Sequence, residues 1–173
     1  VSLSFESGNA IYIPLAHKSK EGAIIAEEIK QIDVNKALSI LKPFLEDPSI
    51  IKIGQNIKYD MTILKNAGNI NIYPIHDTML MSFVLDAGKH IGHGMDALAK
   101  AHLNISTISY SEITGKGKDQ VTFDYVPLDE ALVYAAQDAD ITLRLYLNFN
   151  KRLIKEKMVT LYESIERPLP SVI

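Results

Sequence analysis

Two aspartates, Asp60 and Asp138, stand where helical periodicity demands apolar side chains, and Tyr134 precedes the second by one turn. At about 100° per residue the segment LDEALVYAAQDADITLRLYLNF reads as a helix whose inward stripe holds Ala131, Ala135, Leu145 and Phe149, with Ile141 at its edge. Asp138 falls in the middle of that stripe. Asp140 is rotated by roughly 200° onto the side of Gln137 and Arg144, where a carboxylate needs no partner. The segment IKYDMTILKNA repeats the pattern, with Ile57, Ile63, Leu64 and Ala67 placed around Asp60. A carboxylate on an inward face is costly unless it is paired or holds a metal. Two of them in one domain point to a shared site. Like charges brought together raise each other's pKa unless a cation lies between them, and oxygen ligands of this kind suit Mg²⁺ or Mn²⁺. The expectation is that the two carboxylates converge to within about 4 to 8 Å.

These residues need elements to position them. VSLSFESGNAIYIPLAH alternates apolar and polar residues on both sides of Ser7-Gly8-Asn9, which predicts two antiparallel strands and a turn. KSKEGAIIAEEIKQ is polar and loop-like. Asp33 can cap a helix, VNKALSILKPFLED, with Leu38, Leu41, Phe44 and Leu45 on one face and Pro43 as a kink or early stop. SIIKIG predicts a short buried strand ended by Gly54, after which Gln55 and Asn56 turn into the helix that carries Asp60 and closes at Gly68. NINIYPIHD predicts another strand, with Asp77 capping the helix TMLMSFVLD; a cap is the simpler role for Asp77 than a metal ligand. A glycine-rich bend leads to a short helix from Met95 to about Leu103. NISTISYSEITGKGKDQVTFDYVP is the longest irregular piece, then comes the long helix from Leu128 and a last helix from about Val159. Strands alternating with helices predict an α/β domain with a mixed sheet.

Composition narrows the chemistry. A chain of 173 residues, 47% of them hydrophobic, supports one sizeable core. With no cysteine, carboxylates and histidines are the only strong metal ligands on offer. The net charge of −3 gives no bulk attraction for nucleic acid, so such contact would be local or carried by metal. No apolar run reaches the length of a membrane span and no leader pattern opens the sequence, which predicts a cytoplasmic protein without a membrane partner. His90 and His93 lie in a glycine bend without a fitting third ligand, and read as loop residues. Gly115-Lys116-Gly117-Lys118 lacks the spacing of a phosphate-binding loop and is a solvated turn or a basic contact to phosphate. Tyr146 and Phe149 read as core.

IGQNIKYD and YAAQDAD are similar to the second and third exonuclease motifs of the 3′→5′ proofreading domain of bacterial family A DNA polymerases, the DNA polymerase I group. HDTMLMS, MDALAKAHL and EITGKGKDQVTF resemble the segments between those motifs, and GKGKDQVTF favours this group over ribonuclease D. The resemblance covers essentially the whole chain. It implies a ribonuclease H-like mixed sheet flanked by helices and lacking its first strand, with an exonuclease domain over residues 1–160. YESIERPLP resembles the helix that leads into a polymerase domain, so residues 161–173 would begin that connection and the polymerase domain would be a partner in the same parent chain. Carried over residue by residue, it implies that Asp60 and Asp138 bind two divalent ions, Mg²⁺ or Mn²⁺, and that Tyr134 orients the attacking water. Gln55, Asn56 and Tyr59 would lie along the path of single-stranded DNA, and Tyr110 would contact the terminal nucleotides at the 3′ end. The family's first motif, an Asp-x-Glu, has no counterpart here; Ser4-Phe5-Glu6 comes nearest and has serine where aspartate is needed. The polypeptide as given is therefore expected to bind metal poorly and cut little. Two other readings stay open: a catalytically silent version of the fold that braces a polymerase or holds single strands, and an unrelated α/β domain whose buried acids pair with Lys or Arg.

Overall fold

The computed structural model describes residues 1–18 and 31–172. Most of the polar stretch expected to be loop-like, residues 19–30, lies outside the described residues. The expected hairpin is present: β1 (Ser2–Glu6) pairs antiparallel with β2 (Asn9–Tyr12) around Gly8, whose φ of +85° suits a residue without a side chain. The register shifts between Ser4 and Glu6, and Phe5 is left 83% exposed.

Asp33 caps α1 (Val34–Glu46), its side chain accepting the Lys36 N–H at 2.9 Å. The helix runs through Pro43 without stopping there, and only Ala37 and Leu38 are fully buried. Phe44, expected on the inner face, is 58% exposed. The next strand is shorter than the apolar run suggests: β3 spans Lys52–Gly54 and pairs parallel with β4 (Ile75–Asp77). Residues 69–74 are not strand, because their donors are satisfied elsewhere. Asn69, left-handed at φ 46°, closes α2 (Ile57–Gly68) by donating to the Lys65 carbonyl, Ile70 donates to the Leu64 carbonyl, Asn71 donates to Glu46, and Tyr73 donates to the Leu45 carbonyl. Ile70 and Ile72 are buried all the same, in a small core with Leu38, Ile57 and Ile75.

Asp77 caps α3 (Thr78–Asp86), and α4 runs over Met95–Leu103, both as the sequence predicts. The long irregular piece holds structure of its own: α5 (Tyr110–Thr114), opened by a capping box between Ser109 and Glu112, and 3₁₀ turns at Gly117–Asp119 and Phe123–Tyr125. The central element is α6 (Leu128–Lys155), which packs against β1, β2, β3, α3, α4 and α5. Its buried residues include Ala131, Ala135, Ile141, Leu145, Phe149 and Leu153, the predicted stripe extended by one turn. The final helix is interrupted: α7 (Val159–Leu161) passes into a π turn over Tyr162–Glu166, and α8 (Leu169–Val172) follows. Tyr162, 1% exposed, joins Met81, Leu98, Ile141 and Phe149 in the main core.

The fold is thus mixed α/β. Among the described residues the strands form two separate pairs rather than one continuous sheet, and both pairs rest on α6. No helix among the described residues is long and apolar enough to cross a membrane.

Candidate active site

Asp138 and Tyr134 project from the same face of α6, one turn apart, and both are half-buried. Burial raises the Asp138 carboxyl to about 6; the facing Tyr134 hydroxyl favours its charged form, and the nearby Asp96 opposes it. Tyr134 is itself pushed well above the usual tyrosine range, by burial first and then by the charge of Asp138. Its ring is packed between Tyr110, edge-on at 6.3 Å between centroids, and Phe123 at 5.8 Å. Phe123 also stacks on Tyr110 at 6.4 Å and meets Tyr12 edge-on at 6.4 Å. The hairpin, α5 and the 3₁₀ turn therefore all deliver aromatic rings to the approach to Asp138. Tyr110 keeps 45% of its surface exposed there.

The other predicted residues gather where β3 passes into α2. The Gln55 side chain donates to the His93 carbonyl at 2.9 Å and accepts from the Thr78 hydroxyl. Asn56 is left-handed at φ 58° and makes no side-chain cap. Tyr59 is 67% exposed, beside a shallow cavity of about 310 Å³ lined by Asn56, Lys58, Tyr59, Thr62 and Ile63. Gly54 is required at this junction, since a Cβ on it would come within 2.7 Å of the Ile57 side chain.

Asp60 departs from the expected placement. The buried side of α2 runs through Ile57 with Met61 and Leu64 packed against the small core, while Ile63 is 49% exposed and Ala67 is also exposed. Asp60 therefore sits at the edge of the buried stripe, not in its centre, and the residue is exposed overall. Of the four apolar residues placed around Asp60 by helical periodicity, Ile57 and Leu64 face the core, whereas Ile63 and Ala67 face outward. The Asp60 carboxyl nonetheless has a raised pKa, from burial first and then from the charge of Asp77.

The structure thus brings Tyr134, Asp138 and Tyr110 together at α6, and Gln55, Asn56, Tyr59 and Asp60 together at the start of α2, which leaves β3 against α6. The carboxylate neighbouring Asp138 is Asp96, and that neighbouring Asp60 is Asp77. Among the described residues no group of three or more His, Asp or Glu side chains is placed to hold a metal ion. The donor set does fit a hard cation in kind: both acids have raised pKa values, and no cationic side chain contributes to either.

Several neighbours went unnoticed in the sequence. Asp96, which accepts from the Thr107 hydroxyl at 2.7 Å, was visible only as one residue of MDALAKAHL. Phe123 and Tyr12 carried no signal, because their meeting depends on packing between distant elements. Asp140, read as needing no partner, accepts the Gly8 N–H at 2.6 Å and pairs with Arg144 at 2.8 Å. His93 is no bare loop residue either: its Nδ1 pairs with the Ser82 hydroxyl at 2.8 Å and its ring lies 3.9 Å from that of Phe83.

Known proteins resemble this chain in sequence and in fold. The DNA polymerase I of Rhizobium leguminosarum is 45% identical over 166 residues, covering 95% of this chain and 16% of that protein. That of Pseudomonas aeruginosa is 42% identical over 176 residues, covering all of this chain and 18% of that protein. The chain spans about a sixth of the length of these curated relatives. Among solved structures, Brucella melitensis NrnC superposes with a TM-score of 0.63 at 21% identity, over 76% of this chain and 60% of that one. A structure described as the apo form of the nuclease gives 0.60 at 20% identity, over 86% and 65%. These establish a shared ribonuclease H-like fold. The model of the 3′-5′ exonuclease family matches residues 2–154, nearly the whole chain, and this chain belongs to that family.

Proposed function

We propose that this chain is the metal-dependent 3′→5′ exonuclease domain of a DNA polymerase I, hydrolysing DNA phosphodiesters from 3′ ends. The observation that carries the reading is the Tyr134–Asp138 pair: an acid raised to about 6, with no cation of the protein beside it, facing a tyrosine hydroxyl at the end of an aromatic approach. Such an acid is costly to keep in a fold unless it has work to do.

In this reading Asp60 and Asp138 hold divalent metal, Mg²⁺ or Mn²⁺. Bound there, such an ion would activate a water and stabilise the leaving 3′-oxygen. Tyr134 orients that water through its hydroxyl, which stays protonated because burial and Asp138 keep its pKa high. Tyr110 offers its exposed face to a terminal base, and Tyr59 with Lys58 borders the cavity through which a single strand would run. A structure of NrnC with bound Mg²⁺ and another with bound pGG, both of this fold, support a divalent ion and a nucleic-acid ligand here. The resemblance expects two further carboxylates from an Asp-x-Glu pair, which Ser4-Phe5-Glu6 does not supply. The polymerase domain of the relatives is the natural partner, and a cytoplasmic location goes with it.

The test is a 5′-labelled single-stranded oligonucleotide incubated with the natural full-length protein. Stepwise shortening from the 3′ end that requires Mg²⁺ or Mn²⁺ and disappears in Asp138→Ala supports the reading. Undiminished cutting by Asp138→Ala removes Asp138 from the site.

A further inference from the structure

Asp77 opens two helices with one carboxylate. It is 4% exposed at the end of β4, and its Oδ1 accepts the Met79 N–H at 2.8 Å, the α3 cap that the sequence predicts. The same carboxylate reaches back 20 residues or so to α2: Oδ1 accepts the Asn56 N–H at 3.0 Å and Oδ2 the Ile57 N–H at 2.9 Å. Because Asn56 makes no side-chain cap of its own, the first turn of α2 takes its capping from Asp77. That turn carries Tyr59 and Asp60. Asp77 is itself anchored from behind, its N–H donating to the Tyr162 hydroxyl at 3.3 Å, and that hydroxyl also pairs with His76 Nδ1 at 3.0 Å.

We propose that Asp77 is a positioning residue of the exonuclease site: through Ile57 it sets the direction of the first turn of α2, and so the aim of Asp60 and Tyr59. The proposal rests on the exonuclease reading above. The division of labour between the two oxygens makes it separable from a general role in folding. Oδ1 serves two donors and Oδ2 serves one. In Asp77→Asn the remaining oxygen keeps the most bonds where Oδ1 stood, which leaves the side-chain amide facing the Ile57 N–H, donor against donor. The flipped rotamer would break two bonds instead of one. The α3 cap therefore survives while the start of α2 loosens.

The experiment uses the natural full-length protein, wild type and Asp77→Asn, well below the melting temperature of both. Amide hydrogen exchange is read at Ile57 and Met79, and 3′-end cleavage is titrated with Mn²⁺. The expected result is exchange at Ile57 faster by roughly tenfold with Met79 little changed, the equivalent of one lost hydrogen bond to a charged acceptor. The half-saturating Mn²⁺ concentration rises several-fold, and saturating Mn²⁺ restores most of the turnover, since Asp60 itself remains. Asp77→Ser, which keeps the α3 cap and cannot reach α2, should give the larger shift and serves where Asp77→Asn does not fold. Equal loss of protection at Met79 and Ile57, with turnover that Mn²⁺ does not restore, means a purely structural cap and overturns the proposal. So does an unchanged Mn²⁺ requirement. A wild type that cuts nothing overturns the exonuclease reading and this proposal with it, whereas an active wild type with an indifferent Asp77→Asn overturns this proposal alone.

Discussion

Asp138 lies one turn beyond Tyr134 on α6 with its carboxyl raised to about 6, two units above an ordinary aspartate. A folded pKa above the unfolded value means that folding favours the protonated acid. The associated stability is present below about pH 4 and is lost as the pH rises through about 6. Discounted for the partial exposure of the site, the loss amounts to about 1 to 2 kcal/mol. Asp60 and Asp77 act in the same direction, since burial raises both. In chelator, urea melts between pH 4 and pH 7 should show the wild type losing stability relative to Asp138→Asn as the pH rises. His76, lowered to about 4 by burial, adds the same opposite trend to both. Identical slopes would mean that Asp138 is not the group responsible.

Tyr134→Phe keeps the ring that Tyr110 and Phe123 hold and removes only the hydroxyl. A hydroxyl that orients water is not a metal ligand, so turnover at the 3′ end should fall about tenfold or more while the metal requirement stays near that of the wild type. Asp60→Ala should change both. A large rise in the metal requirement of Tyr134→Phe would make the hydroxyl part of the metal site.

Asp86 shows what a satisfied buried acid looks like in the same protein. It is 1% exposed and meets Arg152 bidentately at 2.9 and 3.1 Å, with Lys89 at 2.7 Å and His102 at 3.0 Å. Burial opposes its charge, but Arg152 and Lys89 outweigh it and hold the carboxyl well below the usual range. Its contribution is present at neutral pH and is lost only as the pH falls below about 4. Asp86→Ala should cost about 3 kcal/mol, seen in a denaturant melt at pH 7, because it strands a partly buried Arg152. A cost under about 1 kcal/mol would show that solvent replaces the pair freely.

The long-helix half of the site was legible in the sequence, because α6 is an uninterrupted helix of known phase and a stripe of apolar residues locates Asp138 within it. The α2 half was legible in position but not in burial. Its helix is only 12 residues long, and the flanking Ile63 and Ala67 turned out to face solvent. Which apolar residues a short helix hides depends on what packs against it, here Ile70 and Ile72 from a segment that looked like a strand and is not one. The aromatic approach was illegible for a related reason. Tyr12, Tyr110, Phe123 and Tyr134 come from four elements, and no local period connects them. The double cap by Asp77 was half legible: the α3 cap is local, whereas the bonds to Asn56 and Ile57 cross between parallel strands β3 and β4.

Asp140, two residues from Asp138 on the same helix, has partners that Asp138 lacks. Its Oδ1 accepts the Gly8 N–H at 2.6 Å and its Oδ2 pairs with Arg144 at 2.8 Å, so it ties the tip of the hairpin to α6. A hydrogen bond to a charged acceptor at a partly exposed site contributes about 1 to 2 kcal/mol. Asp140→Ala should therefore lower stability by that amount at pH 7 and speed exchange of the Gly8 amide, while Asp138→Asn without metal is neutral or stabilising. The two variants should also diverge in the nuclease assay. Asp140→Ala leaves the metal requirement unchanged, because neither its hydrogen bond nor its ion pair reaches Tyr134 or Asp138. Loss of metal-dependent cutting in Asp140→Ala would place the hairpin, and Tyr12 with it, inside the working site.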